Sequence, residues 1–99
     1  MDLEQMTEAL RAKAGDDAGI NATIKFDFGD DGIIFLDGEA APNTVSNEDR
    51  EADCTIKLTF ENFKKLVDGD LNPTTAFMMG KLKIDGSMSI AMKLQGLLG

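Results

Sequence analysis

Few residues of this chain could do covalent or acid–base chemistry. There is no His, Tyr or Trp, so the commonest general base and the usual partner of a Ser or Cys nucleophile are missing. The commonest transition-metal ligand is missing too, and the lone Cys54 cannot build a zinc site. Cys54 opens the alternating run Cys54-Thr55-Ile56-Lys57-Leu58 and reads as a small buried hydrophobe. Adjacent acids such as Asp30-Asp31 and Glu48-Asp49 fall in loop-like stretches and read as solvated charges rather than acid–base pairs. Asp27-x-Gly29-x-Asp31-Gly32 has the outline of a calcium loop, but Gly29 takes its third position and Gly38 the twelfth, where a bidentate Glu is needed. It reads as a hairpin turn. No glycine run has phosphate-loop spacing. No catalytic residue, metal site or cofactor is expected, and the chain is not expected to act as an enzyme.

The chemistry that remains is apolar binding, and it concentrates in Leu71–Leu98. That stretch holds four of the six methionines. On a helical wheel begun at Met88, the residues Met88, Ile90, Ala91, Met92, Leu94, Leu97 and Leu98 spread over roughly 220°, against a stripe of about 100° for a helix packed on one sheet. Ser89, Lys93 and Gly96 hold the polar side. Gln95 lies inside the apolar arc, a lone amide able to address a polar head group. Three readings of the surplus stay open: a fully buried helix with Met as filler, the wall of a ligand cavity, or an oligomer face. Met suits an adaptable wall because its unbranched thioether fills irregular space.

The elements that must position this stretch follow from punctuation. Asp2 and Gln5 have capping-box spacing, and Leu3, Met6 and Leu10 give the first helix one inward face. Arg11 and Lys13 complement the end of its dipole, and Gly15-Asp16-Asp17 stops it. Residues 20–28 alternate as a strand, Gly29–Gly32 turns, and Ile33–Leu36 is apolar on both faces, which implies cover on each side. A short strand around Thr44–Ser46 follows Pro42, then a charged loop. A fourth strand spans Cys54–Leu58. Thr59 caps a helix carrying Phe60, Phe63, Leu66 and Val67. Asn72-Pro73 starts a short helical run that Gly80 ends. Leu82 and Ile84 point inward on a fifth strand, Gly86 turns, and Ser87 caps the last helix.

Ninety-nine residues, 42% of them hydrophobic, imply a single domain over 1–99 with a small core. The net charge of −8 argues against duplex nucleic acid, whose phosphates demand cations. Residues 80–99 depart from this balance: three lysines and one aspartate make them +2, leaving −10 elsewhere. Such a patch suits acyl phosphates or an anionic membrane surface, although an ordinary solvated face is the plainer reading. One Cys allows no internal disulfide, no run of about 18 apolar residues occurs, and no signal peptide is expected because the first ten residues carry acids where one needs basic residues. A cytoplasmic protein is expected.

The motifs Ala52-Asp53-x-Thr55-Ile56, Leu71-Asn72-Pro73-x-x-Ala76-Phe77, Gly80-Lys81-Leu82-Lys83-Ile84-x-Gly86 and Met88-x-x-Ala91-Met92-Lys93-Leu94 resemble those of the sterol carrier protein family, type two. The match is dense over about half the chain and looser before it. The resemblance implies an α+β fold in which a five-stranded mixed sheet and about four to five helices enclose an apolar tunnel. The tunnel would take a fatty acyl chain, an acyl-CoA, a phospholipid or a sterol. The wall it implies comprises Phe77, Met78, Met88, Met92, Leu94 and Leu98, with Phe26, Ile34 and Leu36 from the sheet. Phe60 and Phe63 would close it and Gln95 would meet the head group. The alternative is a non-catalytic accessory domain that uses the last helix as a protein interface, with transient membrane contact and a monomer or weak dimer as further expectations.

Overall fold

The computed structural model describes residues 2–15, 20–40 and 42–98, without the side chains of Leu94, Gln95, Gly96 and Leu98. The expected stop at Asp16-Asp17, and the roles given to Leu94, Gln95 and Leu98, lie outside what is described.

Local chemistry sets the element boundaries. Asp2 and Gln5 form a reciprocal capping box that opens α1 (Leu3–Ala14). The alternating run yields β1 (Thr23–Asp27), shorter than the 20–28 expected. The difference has a backbone cause: Asn21 has φ 54°, a left-handed conformation that interrupts an extended chain. The acidic turn is a single 3-10 turn at Gly29–Asp31, leading into β2 (Ile33–Asp37). Next come β3 (Thr44–Ser46) and β4 (Cys54–Leu58). Thr59 accepts the Asn62 N–H and caps α2 (Phe60–Val67). Asn72 accepts from Thr74 and Thr75 to open α3 (Pro73–Met78). β5 (Leu82–Gly86) and α4 (Met88–Leu98) complete the chain, with the Ser87 hydroxyl accepting from the Ile90 N–H at 3.4 Å.

The five strands make one mixed sheet in the order β3-β2-β1-β4-β5. β1, β2 and β3 are an antiparallel meander. The chain then crosses back so that β4 runs parallel to β1, and β5 closes the edge antiparallel to β4. Register places Ile24, Phe26, Ile34, Leu36, Cys54, Ile56, Leu58 and Leu82 on one face, and all are buried. Against that face pack Met6 and Leu10 of α1, Phe63 and Leu66 of α2, and Ala91 of α4. The Arg11 guanidinium donates to the Val45 carbonyl at 2.7 Å and ties α1 to the edge strand β3. The opposite face carries Thr23, Lys25, Thr55, Lys57 and Lys83. Phe35 is its buried exception. The Arg50 guanidinium lies 4.7 Å from its ring centroid, so the two-sided apolar strand gets its second cover from the charged loop.

Candidate functional site

The helix with surplus apolar residues turns one part of them inward and leaves the other uncovered. Ala91 is buried, and Ile90 and Leu97 pack partly against the core. Met88 and Met92, one turn apart, remain 45% and 67% exposed. On the wheel they lie at roughly 0° and 40°, while Ile90 and Leu97 lie near 180–200°. Facing them is the end of α3, where Phe77 is 41%, Met78 80% and Met79 61% exposed. Chains seldom leave that many large apolar side chains uncovered without a use for them.

Between α3, β5 and α4 these side chains frame an open apolar pocket of about 130 Å³, lined by Pro73, Thr74, Phe77, Ile84, Met88, Ala91 and Met92. Each element delivers its share for a local reason. The Asn72 cap and Pro73 fix where α3 begins, which puts Thr74 and Phe77 on the turn facing the pocket. Alternation on β5 turns Leu82 and Ile84 to the helix side, and Ile84, on the edge strand, is only half-buried. One helical turn separates Met88 from Met92 on α4.

Of the expected wall, Phe77, Met88 and Met92 meet at this pocket. Met78 is exposed on α3 and does not line it. Phe26, Ile34, Leu36 and Phe63 are fully buried in the packed core, with the Phe26 and Phe63 rings edge-to-face at 5.2 Å. Phe60 sits against Phe28 at 4.7 Å, and Phe28 in turn meets Phe63. In the sequence Pro73 reads as a helix start, Ile84 as an inward strand position and Ala91 as part of the apolar arc, and Thr74 has no assigned role. Their meeting in one pocket depends on how α3 docks on β5, which no spacing in the chain reports.

The polar groups nearby are structural. Lys93, expected on the solvent side, donates its ammonium to the Ile20 carbonyl at 2.9 Å. Asp53 accepts from both the Thr23 N–H and its hydroxyl and returns its own N–H to that hydroxyl. Burial pushes the Cys54 thiol above its ordinary value, with the Asp85 charge adding to the effect. Among the described residues no cluster of three His, Cys, Asp or Glu could hold a metal ion, and no helix is long and apolar enough to cross a membrane.

With this arrangement in view, comparison with known families is decisive. The profile of the SCP-2 sterol transfer family matches residues 3–99. The chain belongs to this family. Sterol carrier protein 2 of Homo sapiens is 49% identical over 55 residues, which are 56% of this chain and 10% of that protein. Hydroxysteroid dehydrogenase-like protein 2 of Homo sapiens is 41% identical over 71 residues, 70% of this chain and 17% of that one. The chain therefore spans between about a tenth and a sixth of these relatives' length. The solution structure of the sterol carrier protein domain 2 of Helicoverpa armigera superposes with a TM-score of 0.74 at 26% identity, covering 96% of this chain and 83% of that one. Membership and topology together establish the compact α+β sterol-carrier-like fold and place the chain in a family of lipid-binding and transfer domains.

Proposed function

We propose that this domain carries a lipid-like guest, seating an apolar chain in the pocket between α3, β5 and α4. The supporting observation is the pocket itself: apolar side chains from three elements converge there, and two methionines stand at its rim without cover from their own chain. Each methylene moved from water into such a site gains roughly 0.8 kcal/mol, so a long alkyl chain binds tightly with little polar recognition. A volume of about 130 Å³ is close to the roughly 150 Å³ engineered cavity that admits benzene. It takes a few carbons as it stands, and the rest of a chain lies along Met88 and Met92. A phospholipid, an acyl-CoA or a rigid sterol needs α4 to move outward. Gln95 is the candidate for a head group, with Leu94 and Leu98 extending the wall. The buried Phe26, Ile34, Leu36 and Phe63, with the partly buried Phe60, form the floor that an opened pocket reaches.

The domain acts as a non-catalytic intracellular carrier, in keeping with a chain that has no His. The test is native mass spectrometry of the purified protein, followed by displacement of a fluorescent fatty acid. A co-purifying lipid, or saturable displacement, supports the reading, and neither in a folded sample ends it. A second reading, an accessory domain that docks on protein through α3 and α4, draws on the same exposed residues. Sedimentation that depends on protein concentration favours it over a monomeric carrier.

A further inference from the structure

Among the described residues, the only readily oxidised side chains open to water are four methionines. The chain has no His, Tyr or Trp. Cys54 is fully buried, and its raised thiol keeps the reactive thiolate scarce. Met6 is buried as well, whereas Met78, Met79, Met88 and Met92 are exposed. Exposure decides which thioethers react, because a dissolved oxidant must reach the sulfur from water. The four divide by position. Met88 and Met92 line the pocket, one turn apart on one side of α4, and Met78 and Met79 do not line it. Leucine would make the rim as apolar, and α4 uses it at Leu97, which packs partly against the core. Besides flexibility, what methionine adds at an open rim is a sulfur that can take up oxygen.

We propose that Met88 and Met92 form an oxidation site that controls the pocket: dissolved peroxide modifies them when the pocket is empty, a bound guest shields them, and their oxidation weakens the hold on a guest. The proposal rests on the carrier reading and names a control on that same site. In the reaction a sulfur lone pair takes the distal oxygen of the hydroperoxide, the O–O bond breaks, and the peroxide proton passes to the oxygen that leaves. Sulfur loses two electrons and becomes a sulfoxide, while hydrogen peroxide is reduced to water, or an organic hydroperoxide to its alcohol. The rim then carries S=O dipoles where an alkyl chain would lie along thioethers. A guest must strip water from those dipoles, and among the lining side chains only Thr74 has a hydroxyl to offer in exchange. Shielding follows from the same geometry, because a chain lying along Met88 and Met92 keeps water and peroxide from both sulfurs. Met78 and Met79, off the pocket, react alike in the empty and filled states and serve as an internal clock. Sulfoxide reductases return the thioether, so the change is reversible.

The test is peptide mass spectrometry of the full chain after hydrogen peroxide, with and without a fatty acid, beside displacement of a fluorescent fatty acid. With the fatty acid at about ten times its Kd, oxygen uptake at Met88 and Met92 slows about tenfold, in step with the fraction of pockets left empty. Uptake at Met78 and Met79 keeps its rate. Oxidised wild type binds the probe about tenfold more weakly, and methionine sulfoxide reductase restores binding. Its urea midpoint stays as in the reduced protein, because neither rim side chain is core. The Met88→Leu, Met92→Leu protein is compared only with itself: whatever its starting affinity, peroxide does not change it. The Met78→Leu, Met79→Leu protein remains as sensitive as wild type. The proposal is overturned if the fatty acid slows all four methionines alike or none of them, or if oxidised wild type binds as the reduced protein does. It is equally overturned if the urea midpoint falls together with binding, or if the Met88→Leu, Met92→Leu protein still loses affinity on oxidation. Probe displacement that survives oxidation removes this control alone, whereas a folded, reduced protein that never displaces the probe removes the carrier reading.

Discussion

The ammonium of Lys93 on α4 donates to the carbonyl of Ile20, 73 residues earlier, at 2.9 Å. The bond spans from the closing helix to the segment just before β1. On the wheel Lys93 lies about 40° from Leu97, so the same side of α4 that packs inward also carries the cation. The bond holds the helix at a set rotation and leaves Met88 and Met92 on the uncovered flank. Lys93→Met keeps the length of the side chain and removes the donor. It is expected to cost about 1 kcal/mol, the usual scale for one hydrogen bond at a partly solvated site. Amides of α4 should exchange faster by a similar factor while those of β1 and β4 do not change, a comparison that native-state hydrogen exchange makes directly.

Met92 and Phe63 separate pocket from core. Met92→Glu places a carboxylate at the rim, where water still reaches it, so folding changes by no more than about 0.5 kcal/mol. Fatty-acid binding should be lost, because the charge would have to be stripped of water beside an alkyl chain. Phe63→Ala removes a ring packed against Phe26 and Phe28 and costs about 3–5 kcal/mol of stability. Urea titration and ligand displacement on both variants check this. If Met92→Glu unfolds the chain, that residue is core and the pocket assignment fails.

The sequence was most legible where one side chain settles a local question. Asp2, Thr59, Asn72 and Ser87 each accept an N–H that a helix start leaves unpaired, so every one marks its boundary regardless of the rest of the fold. Alternation on β1, β4 and β5 fixes which residues share a face, because a slip of one residue would expose them all. The rotation of α4 was not legible. Apolar residues around so wide an arc allow several faces to turn inward, and the choice falls to α3 and to the Lys93–Ile20 bond. Nor was the division between floor and pocket. Phe26 and Ile84 both point to the helix side, and an apolar side chain that meets a helix has the same identity as one that meets a void.

Gly86 turns the chain from β5 into α4 with φ 120°, and a Cβ built there would lie 2.5 Å from the Asp53 carbonyl oxygen. Both the backbone conformation and the space exclude a side chain. Gly86→Ala is therefore expected to lose about 1–3 kcal/mol from strain. It should also push β5 away from β4 at the Cys54–Gly86 pair, widening the pocket from below. A lowered urea midpoint accompanied by altered fatty-acid affinity is the expected pair of results. A neutral outcome in both would mean that the turn can re-form in another conformation.

Cys54 offers a pH-dependent readout of the core. Its side chain is buried on β4 between β1 and β5, and burial, helped by the charge of Asp85, raises the thiol above its ordinary value. Raising the pKa of an acid in the folded state means that the unfolded chain releases the proton first as pH climbs. The stability linked to this group is then complete below the ordinary thiol value and declines as pH rises through the folded one. Cys54→Ala removes the linkage at a small cost in volume. The difference in urea midpoint between wild type and Cys54→Ala should therefore shrink, or reverse, between about pH 7 and about pH 9.5, and subtraction cancels the lysines that titrate above that range. Iodoacetamide should leave the native thiol unmodified and label it only when the sheet opens, at a rate that follows denaturant.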